Sequence, residues 1–388
     1  MKFKRVFLIV LDSVGVGEAA DAINYGDVGA NTLGHIKESC DLFIPNLKKI
    51  GFLDTLNMNE NNNVEAYYTI AKPNNAGKDT LNGHYEMMGI TNNIEFKTFN
   101  NGFPAEVLDS IEQVTGRRVI GNVCCNNDQV IKDLGERQLN YGSLIIYTSA
   151  DSDLQVAAHE DVIPVSTLHQ YCERIRAITL KDDWRVGRVI ARPFVGSNGN
   201  YKFSNSGRKD YAVKPPKKTI LDSLAENNYN VIALGKMNDI FDGTGINKSI
   251  KAHSNIESIN KLTDIMDKSF TGLCMANLSD FDSLYGHVRD VEGYAKALEE
   301  LDVEIPMMIN KLELDDLLII TADHGNDPTF EGCDHTRENV PVIFYSRGFN
   351  DPKRLPVLDT LADIGATIAD NFDLEKPEIG NSILDKLV

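Results

Sequence analysis

Short runs of apolar, often β-branched residues punctuate the chain, and each ends abruptly in polar residues. They are Val6–Leu11, Leu144–Tyr147, Val231–Leu234, Leu273–Leu278, Leu317–Thr321 and Val342–Tyr345. The runs are continuous rather than alternating, which predicts strands buried on both faces of a mostly parallel sheet. Helical patterns fall between them, over Pro104–Thr115, Thr219–Glu226, Val291–Glu304 and Asp359–Ala369. In the last two, apolar residues recur at three- and four-residue spacing, and Pro306 is expected to end or kink the longer one. Strand–helix alternation predicts an α/β fold with its sheet covered on both faces.

Two stretches read as hinges. Thr91–Pro104 is rich in Asn and Gly, and Gly196–Lys218 is rich in Gly, Asn, Ser and Lys around Pro215-Pro216. They bracket a middle segment with its own helix, strand and turns, so a smaller domain inserted into a split larger one is predicted. A length of 388 residues suits two or three domains and needs no disulfide staple. The Asn-rich tract Asn57–Asn63 reads as a loop.

Charge narrows the partners. Thirty-nine basic against 57 acidic residues leave a net charge of −18, which repels phosphate backbones and anionic lipid. Neither nucleic acid nor membrane is an expected partner, and no obligate protein partner is evident. A small anionic substrate would need a local basic island. One lies between Arg185 and Lys218, where Arg185, Arg188, Arg192, Lys202, Arg208, Lys209, Lys214, Lys217 and Lys218 are opposed only by Asp210. Arginine forks match phosphate geometry. The six cysteines are scattered without CxxC spacing and read as free thiols of a reducing cytoplasm. The apolar run at the N-terminus is too short for a signal peptide and ends at Asp12.

Three predicted strands end in acids: Asp12, then Asp280 and Asp282, then Asp323 beside His324. Groups just beyond the carboxyl ends of parallel strands converge on one crevice. Carboxylates gathered there are costly unless a cation sits among them. Histidines accompany them at His287, His324 and His335. Taken singly, each acid reads as a cap or turn residue. Together, mixed Asp and His donors suit Zn²⁺, Mn²⁺ or Mg²⁺, and two ions account for six ligands. The segment Gly77–Glu86 reads as a loop entering a helix, with Thr80 near the helix start, where phosphate is favoured. It is not a Walker A loop, because Asp79 follows the lysine. The Thr80 hydroxyl needs a metal or base to become a nucleophile.

These segments resemble the phosphopentomutase family of the alkaline phosphatase superfamily. The resemblance is carried by Ile9–Ala19, Gly77–Thr80, Tyr147–Ser152, Asp280–Tyr294, Ala322–Thr329 and Asp334–Glu338, in the family's order along almost the whole chain. It implies an alkaline-phosphatase-like α/β core over residues 1–95 and 212–388, with a mostly parallel central sheet flanked by helices, and an inserted smaller α+β cap domain over 96–211. It further implies two Mn²⁺ ions, one held by Asp12, Asp323 and His324 and the other by Asp282, His287 and His335. Thr80 would carry the phosphoryl group, with Asn82 at the family's second threonine position. Ser149, Asp151, Arg188 and Lys236 would hold the pentose phosphate. Arg208 matches one of two family arginines before Asp210-Tyr211; the other is absent, with Lys202 nearby.

The implied reaction moves phosphate between the C1 and C5 oxygens of ribose or 2-deoxyribose in the cytoplasm. A sugar bisphosphate such as glucose 1,6-bisphosphate would prime the threonine. The competing readings are a metal-dependent phosphatase or another phosphomutase of the superfamily and, in a different class, a dinucleotide-binding oxidoreductase. The last rests on Gly15–Ala20, which fits a loose GxGxxA pattern but lacks a second acid-ended strand at the right distance.

Overall fold

A computed structural model of the chain describes residues 1–91, 96–125, 127–149 and 152–388. It divides into two compact units, one of Met1–Ile94 with Pro215–Val388 and one of Glu95–Lys214. In chain order, the first strands among the described residues are β1 (Arg5–Leu11), β2 (Tyr67–Ala71), β3 (Val119–Cys124), β4 (Leu144–Thr148), β5 (Asp153–His159) and β6 (Arg188–Ser197). There follow β7 (Asn200–Phe203), β8 (Lys209–Ala212), β9 (Asn230–Leu234), β10 (Lys248–Ile250), β11 (Gly272–Leu278), β12 (Asp316–Thr321) and β13 (Val340–Tyr345).

The larger unit is built on a seven-stranded sheet in the order β10-β9-β11-β1-β12-β13-β2. The first five strands run parallel, and β13 is antiparallel to both of its neighbours. Every residue of β1, β11 and β12 is buried, which is why these runs carry no polar alternation. Each fully buried Leu, Ile or Phe there is worth roughly 1.5–3 kcal/mol over its exposed state. One charge sits among them. Arg5 at the start of β1 pairs in register with Asp316 at the start of β12. Its Nε donates to Asp316 Oδ1 at 2.7 Å and its Nη2 to Oδ2 at 2.5 Å. Nη1 donates to the carbonyls of Met266 and Lys268, so the buried guanidinium is well satisfied. Among the described residues, no helix is long and apolar enough to cross a membrane.

Helices Thr32–Ser39, Pro45–Lys49 and Asn255–Met266 pack on the long helix Val291–Lys311. Helices Thr80–Met87, Ile220–Glu226 and Leu384–Leu387 pack on Ala362–Asn371. The helix does not end at Pro306, since Val291–Lys311 continues through it. Proline removes the amide that would bond the carbonyl four residues back, at Asp302. Nδ2 of Asn46 donates to that carbonyl instead, at 3.1 Å.

The second unit holds a six-stranded mixed sheet, β3-β4-β5-β6-β7, with β8 paired to the other half of β6. Ala105–Thr115 and Val165–Ile178 cover one face around Val107, Ile111, Leu168 and Cys172. Asn127–Tyr141 covers the other, where Ile131, Tyr147 and Phe194 are buried. The stretch Gly196–Lys218, expected to be a hinge, contains the end of β6 and all of β7 and β8. Asn198 (φ 54°) and Gly199 (φ 81°) form the two-residue turn between paired Ser197 and Asn200. Asn-Gly is the favoured sequence for such a hairpin, so these turn residues join strands rather than mark a linker. Of the other expected hinge, residues 92–95 lie outside the described residues.

Candidate metal centre

The parallel strands deliver their acids as the sheet rule requires. Asp12 follows β1 and is fully buried, and neither of its oxygens has a hydrogen-bond partner. Beyond β11 the chain winds into one wide turn, Phe281–Gly286, in which the His287 amide bonds the Asp282 carbonyl five residues back at 3.0 Å. Such π-type turns set residues five apart side by side and recur at functional sites. Here the turn brings His287 Nε2 to 3.1 Å from Asp282 Oδ2. Asp323 and His324 follow β12, and the loop from there to β13 carries His335.

These six residues form two triads, Asp12–Asp323–His324 and Asp282–His287–His335, each with its donor atoms within 4.8 Å of one another. His324 Nε2 lies 3.4 Å from both Asp12 Oδ1 and Asp323 Oδ2. His335 Nε2 lies 3.3 Å from Asp282 Oδ1 and 3.2 Å from His287 Nε2. The rings of His324 and His335 stack at 4.0 Å, which joins the triads.

The donor chemistry fits divalent cations. Each histidine directs Nδ1 to a backbone carbonyl: His287 to Cys333 at 2.7 Å, His324 to Gly325 at 3.0 Å and His335 to Lys78 at 2.9 Å. A carbonyl accepts only, so Nδ1 carries the proton and Nε2 turns its lone pair inward, as in metal-bound histidine. Two such lone pairs facing at 3.2 Å, with unpartnered carboxylate oxygens on Asp12 and Asp323, call for a cation. The electrostatics agree. Burial would raise the Asp282 carboxyl, but His287 and His335 hold it well below the usual carboxylate range. Burial would lower the His324 imidazole, but Asp323 and Asp12 carry it well above its usual value. Asp282 and Asp323 are thus held toward the ionised form by positive charge beside them, the place a divalent cation would take.

Thr80 opens the helix Thr80–Met87, but it is not the cap. Asp79 takes that role, its Oδ1 accepting from the Asn82 amide at 3.1 Å. The Thr80 hydroxyl is therefore free of the helix end, 6% exposed, and 3.2 Å from His324 Nε2. Gly83 allows this approach, because a Cβ there would sit 2.2 Å from the backbone oxygen of Asp323. One turn along, His84 sends Nδ1 to the Thr80 carbonyl at 2.8 Å and lies 3.2 Å from Asp323 Oδ2. His84 was not singled out from the sequence, although its four-residue spacing from Thr80 places it on the same helix face. Asn326, also not singled out, donates from Nδ2 to Asp282 Oδ1 at 2.7 Å.

The expected substrate contacts lie elsewhere in the chain. Lys236 follows β9, at the same carboxyl edge of the core sheet. In the second unit, Arg188 and Arg208 meet at Asp210: Arg188 Nη1 is 3.8 Å from its Oδ2, and Arg208 grips it with two bonds of 3.0 and 3.1 Å. Ser149 Oγ donates to Asp153 Oδ2 at 2.9 Å. Asp151 lies outside the described residues. The basic island is also divided. Arg192 stacks on Phe203 at 4.2 Å, whereas Lys217 and Lys218 pair with Glu378 and Glu226 in the larger unit. Gly15–Ala20 leaves β1 without entering a helix of the kind a dinucleotide fingerprint opens.

Comparison with solved structures gives distant likenesses. The PH0037 protein from Pyrococcus horikoshii is 13% identical, with 98% of this chain and 100% of that chain covered and a TM-score of 0.49. A phosphoglycerate mutase from Leishmania mexicana is 13% identical, with coverages of 98% and 97% and a TM-score of 0.48. An alkaline phosphatase superfamily protein from Vibrio parahaemolyticus is 12% identical, with coverages of 99% and 70% and a TM-score of 0.47. The sequence itself matches the model of the metalloenzyme superfamily over residues 4–376, almost from end to end. The chain that builds these two triads belongs to the metalloenzyme superfamily.

Proposed function

We propose that the protein is a phosphopentomutase, interconverting the 1- and 5-phosphates of ribose and 2-deoxyribose through phosphorylated Thr80. The observation that carries this reading is a buried hydroxyl, released from capping by Asp79, set 3.2 Å from His324 beside two acid–histidine triads. The sequence blocks that resemble phosphopentomutases include all six triad residues and Thr80. Asn82 leaves Thr80 as the single aliphatic hydroxyl of the Gly77–Glu86 segment, and the Tyr85 hydroxyl donates to the Ile240 carbonyl instead.

Asp12, Asp323 and His324 would hold one divalent ion, most simply Mn²⁺, and Asp282, His287 and His335 the other. Bound there, the ions supply Lewis-acid polarisation of the phosphoryl oxygens. Phospho-Thr80 gives its phosphoryl group to the free hydroxyl of a pentose phosphate, and the bisphosphate so formed returns its other phosphoryl group. Each transfer exchanges one threonine O–P bond for one sugar O–P bond, and the hydroxyl proton moves in the opposite sense. Ser149, Asp151, Arg188, Arg208 and Lys236 would bind the sugar phosphate, whose charge suits the arginine fork. The fully buried carboxylates and low exposure of Thr80 disfavour water as a competing acceptor. A sugar bisphosphate such as glucose 1,6-bisphosphate would supply the first phosphoryl group.

The test is to incubate the protein with Mn²⁺ and glucose 1,6-bisphosphate, then follow ribose 1-phosphate. Conversion to ribose 5-phosphate with little inorganic phosphate supports the mutase. Stoichiometric release of inorganic phosphate would make the protein a phosphatase.

A further inference from the structure

Thr80 is reached through an irregular segment, Pro73–Asp79, whose register no strand or helix sets. Glu86 takes the amides of Asn74 and Asn75. Three of the segment's carbonyls, those of Pro73, Asn75 and Gly77, converge on one side chain. Arg337 is 2% exposed. Its Nη1 donates to the Gly77 carbonyl at 2.6 Å, and its Nη2 donates to the carbonyls of Asn75 at 2.9 Å and Pro73 at 3.4 Å. The far edge of the guanidinium is held by Asp21, from Nε to Oδ1 at 3.0 Å and from Nη2 to Oδ2 at 2.9 Å.

The strip that carries Arg337 is itself fixed. Thr336 and Glu338 bridge to Gly325 and Glu18, and the Arg337 amide donates to Asp27 Oδ2 at 2.8 Å. Residues one apart on an extended strip face opposite ways. His335 and Arg337 accordingly share the side turned to the Pro73–Asp79 segment, where His335 Nδ1 donates to the Lys78 carbonyl at 2.9 Å. The same four-residue strip thus supplies a triad histidine and grips the carbonyls of residues 73, 75, 77 and 78.

We propose that Arg337 is a positioning residue, which sets the Thr80 hydroxyl in register with the triads by clamping the carbonyls of the segment before it. The proposal rests on the reading of Thr80 as phosphoryl acceptor. A planar five-donor fork can serve three carbonyls and a carboxylate at once, whereas a lysine ammonium has three donors on one atom. Loss of the fork frees three of the four gripped carbonyls and lets the segment shift, while Asp12, Asp323 and His324, which follow β1 and β12 directly, stay in place. A misplacement of about 1 Å costs roughly 100-fold in a positioned reaction.

The experiment compares the wild-type protein with Arg337→Lys and Asp21→Asn, the latter at a partly exposed side chain that threatens folding less. Four quantities are measured: the rate at which glucose 1,6-bisphosphate labels the Thr80 peptide, kcat and KM for ribose 1-phosphate, bound Mn²⁺, and the thermal melt. For Arg337→Lys, labelling rate and kcat should fall roughly 10- to 100-fold with KM and metal content near wild type. Asp21→Asn should show a smaller loss of the same kind. A folded, metal-loaded Arg337→Lys labelled within about two-fold of the wild-type rate overturns the proposal. Should Arg337→Lys not fold, wild-type labelling in Asp21→Asn overturns it equally. No label on the wild-type Thr80 peptide sinks the Thr80 reading itself, and this proposal with it.

Discussion

The hydroxyl of Thr80 lies 3.2 Å from Nε2 of His324, a residue 244 positions further along the chain. Only the completed fold brings them together. With the helix end already capped by Asp79, replacing the hydroxyl should disturb chemistry far more than structure.

Thr80→Ala should therefore abolish both mutase turnover and the phosphoryl mass added to its peptide by a sugar bisphosphate. Metal content and the thermal melt should stay near wild type. Thr80→Ser should keep partial activity, since the hydroxyl survives with a freer rotamer. Mass spectrometry of the peptide and a coupled turnover assay check both. Wild-type turnover in Thr80→Ala would mean a different acceptor.

His335 faces both Asp282 and His287 while its Nδ1 bonds Lys78. His335→Ala should lower bound metal and activity together, with metal measured by inductively coupled plasma mass spectrometry on dialysed protein. Full occupancy in the variant would remove His335 from the ligand set.

Chelation should destabilise the protein as well as inactivate it. Asp12, Asp282 and Asp323 are buried, and Asp12 has no hydrogen-bond partner on either oxygen. A cation bound only by the folded state, at 100 times its dissociation constant, adds about 2.7 kcal/mol. The melting temperature should drop on EDTA treatment and recover with Mn²⁺. An unchanged melt would argue that the triads hold no tightly bound ion.

Arg188 shares Asp210 with Arg208, 3.8 Å and 3.0 Å away, and its guanidinium fork suits a ligand phosphate. Arg188→Ala should raise KM for ribose 1-phosphate while metal content holds. A lost charge-assisted bond of roughly 1.5–3 kcal/mol corresponds to about 10- to 100-fold in kcat/KM. Steady-state kinetics that match wild type would exclude Arg188 as a phosphate contact.

The Arg5–Asp316 pair gives a stability test remote from the triads. Asp316→Ala leaves a guanidinium buried without its carboxylate and should cost about 3–5 kcal/mol in denaturant unfolding. The double variant Arg5→Met/Asp316→Leu should recover much of that loss. A single variant as stable as wild type would show that Glu313 and the carbonyls of Met266 and Lys268 suffice for Arg5.

Sequence pattern disclosed the buried centre of the fold and left its edges obscure. β1, β11 and β12 carry unbroken apolar runs because both faces are covered. β7 and β8 contain Lys202, Lys209 and Asp210, so they read as part of a hinge, and β5, which carries Asp153 and Gln155, is not picked out at all although every residue of it is buried. That the helix continues past Pro306 is hidden for a different reason: the effect depends on whether a neighbour bonds the freed carbonyl, and Asn46 is 260 residues away in sequence. In the site, residue types at strand ends pointed to the two triads. The groups that orient them did not stand out. His84, Asn326 and Arg337 act through carbonyls and second contacts, and such partners have no spacing rule to betray them.

Strand β1 pairs with β11 on one side and β12 on the other, yet those partners are made at residues 272–278 and 316–321. During synthesis the second unit is complete once residue 214 has emerged, while the first strand of the chain still lacks both neighbours. For well over half of translation, the apolar run Val6–Leu11 has no place to be buried. Such a strand is an exposed hydrophobic edge, the kind of segment that chaperones hold and that aggregation recruits. The last strands to leave the ribosome therefore close the sheet and create both triads in the same event. Metal uptake by a growing chain would then report completion of the core, and a chain truncated before β12 should bind none.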